Sequence, residues 1–278
     1  MLRTTVDSIE NVGRRTLDTI DELGSFALFT LATVGWTFRG VHGFSRTRLL
    51  LPQLFEIGTK SIPVVLIVGG FVGAVLGLEM FDQFAAIGQE ARIGGVIDLS
   101  VVKQIGPVLA AVMIAGRVGG AVTAELGTMR VTEQLDALRV MGTDPIAHLV
   151  VPRVLACLLM VPMLTIFSNV IGIAGGYLVV VCGFGVNAAD YNSFASQFVG
   201  SYDVITGLVK AVVFGVTIGM IACHKGFNCK PGAEGVGRAA TDSFVTSFIA
   251  IIVINFFLAK FLKDLYHVLY GYGGMSVF

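Results

Sequence analysis

Two charged residues, Arg117 and Glu125, lie inside long apolar stretches of the sequence, where a charge without a partner costs several kcal/mol. They are eight residues apart, which corresponds to about 12 Å along a helix, so they cannot pair directly with each other. Each is predicted to pair with a polar group elsewhere. A structural clamp between helices is favoured over direct contact with a substrate.

Conventional catalytic and metal-binding patterns are absent. The sequence has no HExxH, no nucleophile elbow and no CxxC, so no catalytic residue is predicted. Cys223 and Cys229 flank a segment that holds His224, but no fourth ligand lies nearby and no metal site is predicted. There is no GxxxxGK[ST] either, so no cofactor is expected on this chain. Any ATP-driven role needs a separate subunit that binds ATP and Mg²⁺.

A short polar segment, residues 132–145, separates two long apolar ones and has the features of a helix about nine residues long. Thr132 is its candidate N-cap, Gly142 follows its end, and Pro145 forbids continuation. An apolar stripe lies under a charged back and consists of Val131, Leu135, Leu138 and Met141. We expect this stripe to dock a partner from the water.

The composition predicts an integral membrane protein. Hydrophobic residues make up 55% of the chain and charged residues 14%, a balance that a soluble domain could not shield from water. The net charge is zero, so no nucleic-acid partner is implied. Five apolar runs reach the roughly 20 residues that a crossing needs. They lie near residues 61–82, 97–126, 149–183, 204–224 and 243–266. Gly106-Pro107 and Val161-Pro162 are the predicted kink points.

The distribution of basic residues predicts the orientation. Lysines and arginines cluster before the first span and in the second and fourth loops, whereas the first loop has only Arg92. Because basic loops stay in the cytoplasm, the N-terminus and the 132–145 helix are expected there and the C-terminus outside. Lys103 and Lys210 lie near the outer ends of their spans, where snorkelling is expected.

The region before the first span is predicted to be a separate domain, residues 1–48, ahead of a transmembrane domain, residues 49–278. Residues 2–23 have apolar and charged side chains on opposite arcs and predict an amphipathic interfacial helix. Residues 24–41 are short for a crossing and are predicted to be interfacial or re-entrant, with a sixth span as the alternative.

A stripe of glycines in the first span, Gly69, Gly73 and Gly77, recurs every four residues and allows another helix to approach closely. Two interpretations stay open at this point. The stripe packs against a helix of the same subunit, or it forms a seam between two subunits.

The second span and its following loop carry a long, specific motif. It reads Ala115-Gly-Arg-Val-Gly-Gly-Ala-Val-Thr-Ala-Glu-Leu-Gly-Thr-Met129, followed by Arg130-Val-Thr-Glu-Gln-Leu-Asp-Ala-Leu, and later by Asp144-Pro145 and Pro152-Arg153. This closely resembles the MlaE/YrbE family of ABC-transporter permeases, which work with MCE proteins in lipid transport. The resemblance covers nearly the whole chain and implies an all-α membrane protein.

The resemblance also implies an assembly. Two permease chains pair, each docks a cytoplasmic ABC ATPase, and an MCE protein stands on the outer side of a bacterial inner membrane. Its function would be to move phospholipid or a related lipid between that membrane and the MCE protein, in lipid supply or outer-membrane asymmetry. The implied coupling helix consists of Glu133, Gln134, Leu135, Asp136, Ala137, Leu138 and Met141. The implied lipid path is lined by Leu78, Phe81, Gln104 and Val108. Family members often have Arg-Glu where this chain has Lys103-Gln104, which puts a headgroup or proton role there in doubt.

Two other classes of function remain as alternatives. An ion-gradient-driven transporter would need an ionisable relay and inverted repeats, for which Arg117 is the only candidate and no repeat is visible. A lipid-modifying enzyme would need clustered His, Asp or Ser, whereas the outer loop offers Asp190, Ser193 and Asp203 without a histidine. The chain is therefore predicted not to be an enzyme.

Overall fold

The computed structural model describes the backbone of residues 2–39 and 45–270, and the side chains of residues 17, 20–38 and 48–268. Three parts of the chain lie outside that description. They are the side chains on the predicted arcs of residues 2–16, residues 40 and 41 of the predicted interfacial segment, and the C-terminal tail past residue 270. Within the described ranges the chain is helical and contains no strand. The helices are α1 Leu2–Arg39, α2 Ser45–Ile57, α3 Ile62–Ala86, α4 Ile93–Ser100, α5 Gly106–Ile114, α6 Gly120–Val131, α7 Gln134–Val140, α8 Val151–Tyr177, α9 Ala188–Phe198, α10 Ser201–Phe227 and α11 Ala233–Tyr270.

The described chain has five helical segments that are long and apolar enough to cross a membrane, which confirms the predicted all-α fold and number of spans. They are Arg48–Ala86, Glu90–Val131, Ile146–Gly183, Ser201–Phe227 and Ala233–Val268. Each is longer than the apolar run that predicted it. We call the end of this bundle that carries the short helix α7 the α7 end, and the opposite end, which carries α9, the α9 end.

Helix α1 differs from the prediction. Residues 2–23 and 24–41 were expected to form two elements, but the structure has one helix from Leu2 to Arg39. No Pro interrupts this stretch, and its three glycines, Gly13, Gly24 and Gly35, are tolerated within a helix at a cost of about 1 kcal/mol each. This helix is not among the candidate membrane spans.

The second span departs from α-helical hydrogen bonding at two places. A π-helical turn at Val101–Ile105 directly precedes Gly106-Pro107, and a second one occupies Ala115–Gly119. Pro107 has no backbone N–H to donate, so a change in the helical hydrogen-bond pattern beside it is expected. At the other predicted kink, α8 continues through Pro162 from Val151 to Tyr177.

The glycine stripe of α3 packs against α8 of the same chain. Gly69, Gly73 and Gly77 are buried there, facing Ser168, Gly172 and Gly176 respectively. A Cβ atom on Gly73 would lie 1.8 Å from the Gly172 carbonyl oxygen, so the two backbones are in direct contact. The interpretation of this stripe as a seam between subunits is therefore wrong, because its glycines are already occupied within one chain.

At the α9 end, α9 is held onto α4 by a buried polar contact. The Tyr191 hydroxyl donates a hydrogen bond to Asp98 Oδ1 at 3.1 Å, and both side chains are almost fully buried. Burial and the neighbouring Asp98 raise the pKa of Tyr191 above its ordinary value, so the hydroxyl keeps the proton that it donates. Gly94 and Gly95 leave the space that Tyr191 and Phe198 fill.

Replacing Tyr191 with Phe tests that contact. We expect Tyr191→Phe to lower the free energy of unfolding by about 1–2 kcal/mol, because it leaves the Asp98 carboxyl buried without its donor. Ser193→Ala is the matched control on the exposed side of α9, and it should leave stability unchanged. Thermal unfolding of the detergent-purified variants measures the difference, and equal melting temperatures for the two would contradict the prediction.

Candidate functional site: helix α7 and its supports

Helix α7 is shorter than predicted and is capped differently. It covers seven residues, Gln134–Val140, and Glu133 precedes it in the left-handed conformation with φ 60°. The prediction that Thr132 caps the helix is wrong, because the Thr132 hydroxyl donates instead to the carbonyl of Thr128 in α6. The predicted stop at Gly142 is confirmed by its φ of 74°.

Leu135 of the predicted apolar stripe points into the molecule. Leu135 is only 1% exposed and borders a cavity of about 440 Å³ that Phe29 of α1 and Phe227 of α10 also line. The expectation that Leu135 docks a partner from the water is therefore wrong. Its burial follows from the turn at Glu133, which folds α7 back onto α1 and α10.

The exposed tip of α7 is formed by Met141, the last residue of the predicted stripe, and by Val140, which does not belong to it. Val140 is 89% exposed and Met141 is 70% exposed, which is unusual for large apolar side chains on a polar loop. Gln134 and Ala137 are exposed as well, whereas Leu138 is half-buried. The apolar surface offered to the water thus lies at the C-terminal end of α7 and includes Met141 of the predicted stripe but not Leu135.

Surface charges stiffen the tip. Asp136 accepts from Arg139 at 2.6 Å within α7 and pairs with Arg130 of α6 at 3.3 Å. All three side chains are about half exposed, so their contribution to stability is small. Their effect is to hold α7 at one angle to the end of α6.

The two intramembrane charges have separate partners, as predicted. Arg117 donates to the Ser61 hydroxyl at the start of α3, and Glu125 pairs with Arg153 of α8 at 2.7 Å. Arg153 is 4% exposed and also donates to the Leu149 carbonyl. Arg117 therefore ties the second span to α3, and Glu125 ties it to α8, close to α7.

Breaking the second of these ties should destabilise the α7 end. We expect Glu125→Ala to lower the free energy of unfolding by about 2 kcal/mol, since it leaves the buried Arg153 charge unpaired while Glu125 itself is half exposed. Glu234→Ala, which breaks the fully exposed pair with Arg238, should cost about 0.5 kcal/mol or less. Unfolding of the two purified variants in denaturant measures both changes in the free energy of unfolding. Equal changes would contradict the prediction, because the Arg153 pair would then contribute no more than an exposed one.

The residues assigned to a lipid path lie in different surroundings. Leu78 is half exposed on the outer face of α3, while Phe81 stacks on Phe184 with ring centroids 3.8 Å apart. Val108 packs against the main core of the bundle. Gln104 accepts a hydrogen bond from Lys210. Their common role in a lipid path stays a prediction.

Lys210 was expected to snorkel, and this was wrong. Its side chain is 1% exposed and donates to the Lys103 carbonyl at 3.1 Å and to Gln104. Lys103 reaches Asp203 at 2.7 Å instead. Lys210 begins the third turn of α10, where the bundle closes over it, and the amide of Gln104 supplies the polar partner that water would otherwise provide.

One supporting residue was missed by the sequence reasoning. His224 is 4% exposed in α10, with its Nε2 3.2 Å from the Ser25 hydroxyl of α1 and the rings of Phe26 and Phe29 edge-on to it. A polar residue in the last turns of an apolar span must find a hydrogen-bond partner, so the sequence indicates that His224 has one. The sequence does not show that α1 lies beside α10 and supplies that partner.

The sequence of this chain matches that of a known protein family. The sequence profile of the family described as Permease MlaE matches residues 50–261. This match covers most of the chain. The chain belongs to the MlaE permease family.

Relatives of this chain in the MlaE permease family span most of its length. A protein of Rickettsia bellii named "Probable ABC transporter permease protein" is 42% identical over 250 residues, which is 90% of this chain and 95% of the relative. The "Intermembrane phospholipid transport system permease protein MlaE" of Haemophilus influenzae is 35% identical over 91% of this chain and 96% of its own length. The chloroplastic "Protein TRIGALACTOSYLDIACYLGLYCEROL 1" of Arabidopsis thaliana is 36% identical over 80% of this chain and 64% of its own length. The chain is thus a multi-pass ABC-transporter permease of the MlaE family.

Proposed function

We propose that this chain is the membrane subunit of an ATP-driven transporter that moves phospholipid between the inner membrane of a bacterium and an MCE protein on the outer side. The phospholipid substrate is supported by the name of the Haemophilus relative. The transporter contributes to outer-membrane lipid asymmetry or to lipid supply. Two copies of the chain pair, and a separate ATPase binds ATP and Mg²⁺.

The observation that carries the proposal is the exposed apolar tip of α7. Val140 and Met141 stand out from a charged loop and are suited to the groove of a water-soluble partner. The α7 end faces the cytoplasm in this proposal, because its loops hold most of the lysines and arginines. The N-terminus lies on the same side, the C-terminus is periplasmic, and the MCE protein stands over the α9 end.

Three features give the motion of α7 a route into the bundle. Leu135 lines the same cavity as Phe29 and Phe227, so α7 adjoins α1 and α10 there. The pair between Glu125 and Arg153 links the base of α6 to α8. Helix α8 then carries the movement to α3, since the two backbones touch at Gly73 and Gly172.

An energy source is needed because a phospholipid leaves the bilayer at a cost. Each methylene withdrawn from an apolar environment into water costs about 0.8 kcal/mol, so a whole acyl chain needs a sheltered path or coupled work. ATP binding and hydrolysis on the partner supply that work. The chain itself makes and breaks no bond in the lipid.

Transfer of a labelled phospholipid tests the proposal. The permease is co-expressed with its partner ABC ATPase, reconstituted into vesicles, and given an acceptor MCE protein. We expect transfer to require ATP hydrolysis and to stop when the catalytic glutamate of the ATPase is replaced. Transfer that continues without nucleotide and follows a proton or sodium gradient would contradict the proposal and favour a secondary transporter.

A further inference from the structure

Two adjoining cavities lie where α1 packs beside the ends of α10 and α11, at the α7 end of the molecule. Each has a volume of about 400 Å³, and the two share Glu22, His224 and Lys225. Because the same side chains border both, the two cavities adjoin, and we call them together the α1–α11 groove and each of them a half of it. The volume of each half lies in the range of small-molecule sites.

The half of the groove toward the loop is charged. It is lined by the basic residues Lys225, Lys230 and Arg238 and by the carboxylates Glu22 and Asp242. Lys225 donates to Glu22, which lowers the pKa of that carboxyl below its ordinary value. Among the residues that the structure describes, Lys230 has no ion-pair partner. Arg238 pairs with Glu234, so Lys230 is the cation in this half that is free to meet an anion.

The other half is mainly apolar and lies deeper along the helices. Its apolar lining comes from Leu23 and Phe26 of α1, Ile221 of α10 and Ala250 of α11. Leu23 is 64% exposed, so this half is open at its side. An apolar chain in the surrounding bilayer can enter here without crossing water.

One face of α11 runs through both halves. Arg238 and Asp242 line the charged half, and Thr246 and Ala250, each one turn further along, line the apolar half. The four residues recur at four-residue intervals and together cover about 18 Å of helix. The side chains that α10 contributes to the lining change in the same order, from the polar Asn228 and Lys225 to the apolar Ile221. The groove thus matches a ligand with a charged head and an apolar tail.

We propose that the α1–α11 groove binds one phospholipid from the leaflet at the α7 end. The phosphate lies at Lys230, beside the pair of Arg238 and Glu234, where a charge-assisted hydrogen bond from Lys230 holds it. One acyl chain lies against Phe26, Ile221 and Ala250. This site is separate from the outer path assigned to Leu78 and Gln104, and binding there requires neither nucleotide nor the ATPase.

A photoactivatable phospholipid with a diazirine in its acyl chain tests the site. The lipid is added as a minor component to nanodiscs of unlabelled phospholipid that hold the permease complex without nucleotide, and adducts are mapped by mass spectrometry. We expect adducts on α10 near Ile221 and on α11 near Ala250. Since no nucleotide is present, this result does not depend on whether the complex proves to transport lipid.

Two pairs of variants separate the site from ordinary bilayer contact. Ala250→Trp fills the apolar half and should lower labelling there about tenfold, whereas Ile249→Trp, on a neighbouring exposed position of α11, should leave it unchanged. Lys230→Ala removes the free cation and should also lower labelling about tenfold, while Lys60→Ala, at another exposed lysine, should not. Lys230 is exposed, so its variant tests the site even if Ala250→Trp fails to fold.

The following results would overturn the proposal. Labelling that is equal in Ala250→Trp and Ile249→Trp, or equal on every bilayer-facing helix, would reduce the groove to ordinary bilayer contact. Labelling near Ile221 and Ala250 that inorganic phosphate or ATP abolishes would assign the charged half to a soluble anion.

Discussion

Gly73→Leu is expected to prevent the permease from folding stably. A Cβ atom at this position would lie 1.8 Å from the Gly172 carbonyl oxygen and 2.6 Å from the carbonyl carbon, so α3 and α8 would have to separate. Because the obstacle is backbone and cannot rotate away, the cost should reach the upper end of overpacking in a core, about 3 kcal/mol or more. Size-exclusion profiles and thermal unfolding in detergent measure this loss.

The matched control lies two residues away on the same helix. Val75 is 52% exposed on the outer face of α3, so Val75→Leu adds apolar volume without meeting α8. It should give a monodisperse peak with an unchanged melting temperature. A folded Gly73→Leu protein that had merely lost its dimer would contradict the intrachain packing and restore the interpretation of this stripe as a subunit seam.

Val140→Glu is expected to release the ATPase while the permease stays folded. Val140 is 89% exposed, so its replacement should change the free energy of unfolding by about 0.5 kcal/mol or less. A charge at the centre of an apolar docking surface costs about 2 kcal/mol or more in binding, which corresponds to about 30-fold in affinity. Co-purification with the ATPase and ATP-driven lipid transfer should both fall accordingly.

Leu135→Glu provides the contrast within the same short helix. Leu135 is buried in the wall of the cavity that Phe29 and Phe227 also line, so a charge there should destabilise the α7 end of the permease itself. We therefore expect Leu135→Glu to lower both the melting temperature and ATPase binding, and Val140→Glu to lower only ATPase binding. Retention of the ATPase by a folded Val140→Glu protein would remove the tip of α7 from the docking surface.

The number of spans and the pairing of the membrane charges followed from the sequence because they rest on local quantities. A run of apolar residues long enough to cross a bilayer is visible without knowing its neighbours. In the same way, the spacing of Arg117 and Glu125 excluded a direct pair, and each has its own partner, Ser61 and Arg153. What the spacing could not supply was the identity of those partners, which belong to other helices.

The error at α7 and the two interpretations left open at the glycine stripe have a common physical origin. The sequence showed that Leu135 lies on an apolar stripe and that Gly73 allows close approach, but not which neighbour would cover either one. The left-handed turn at Glu133 directs Leu135 inward, and Gly73 is in contact with α8 of the same chain. A periodic pattern therefore identifies a contact face, while the partner of that face is decided by tertiary packing.

Photocrosslinking in living cells tests the central claim, that the tip of α7 seats a cytoplasmic ATPase. A photoreactive amino acid is placed at Val140, and the same amino acid is placed at Ser193 on the exposed side of α9 at the opposite end. We expect an adduct with the ATPase subunit from position 140 and none from position 193. An ATPase adduct from position 193, or its absence at position 140 in an intact complex, would contradict it.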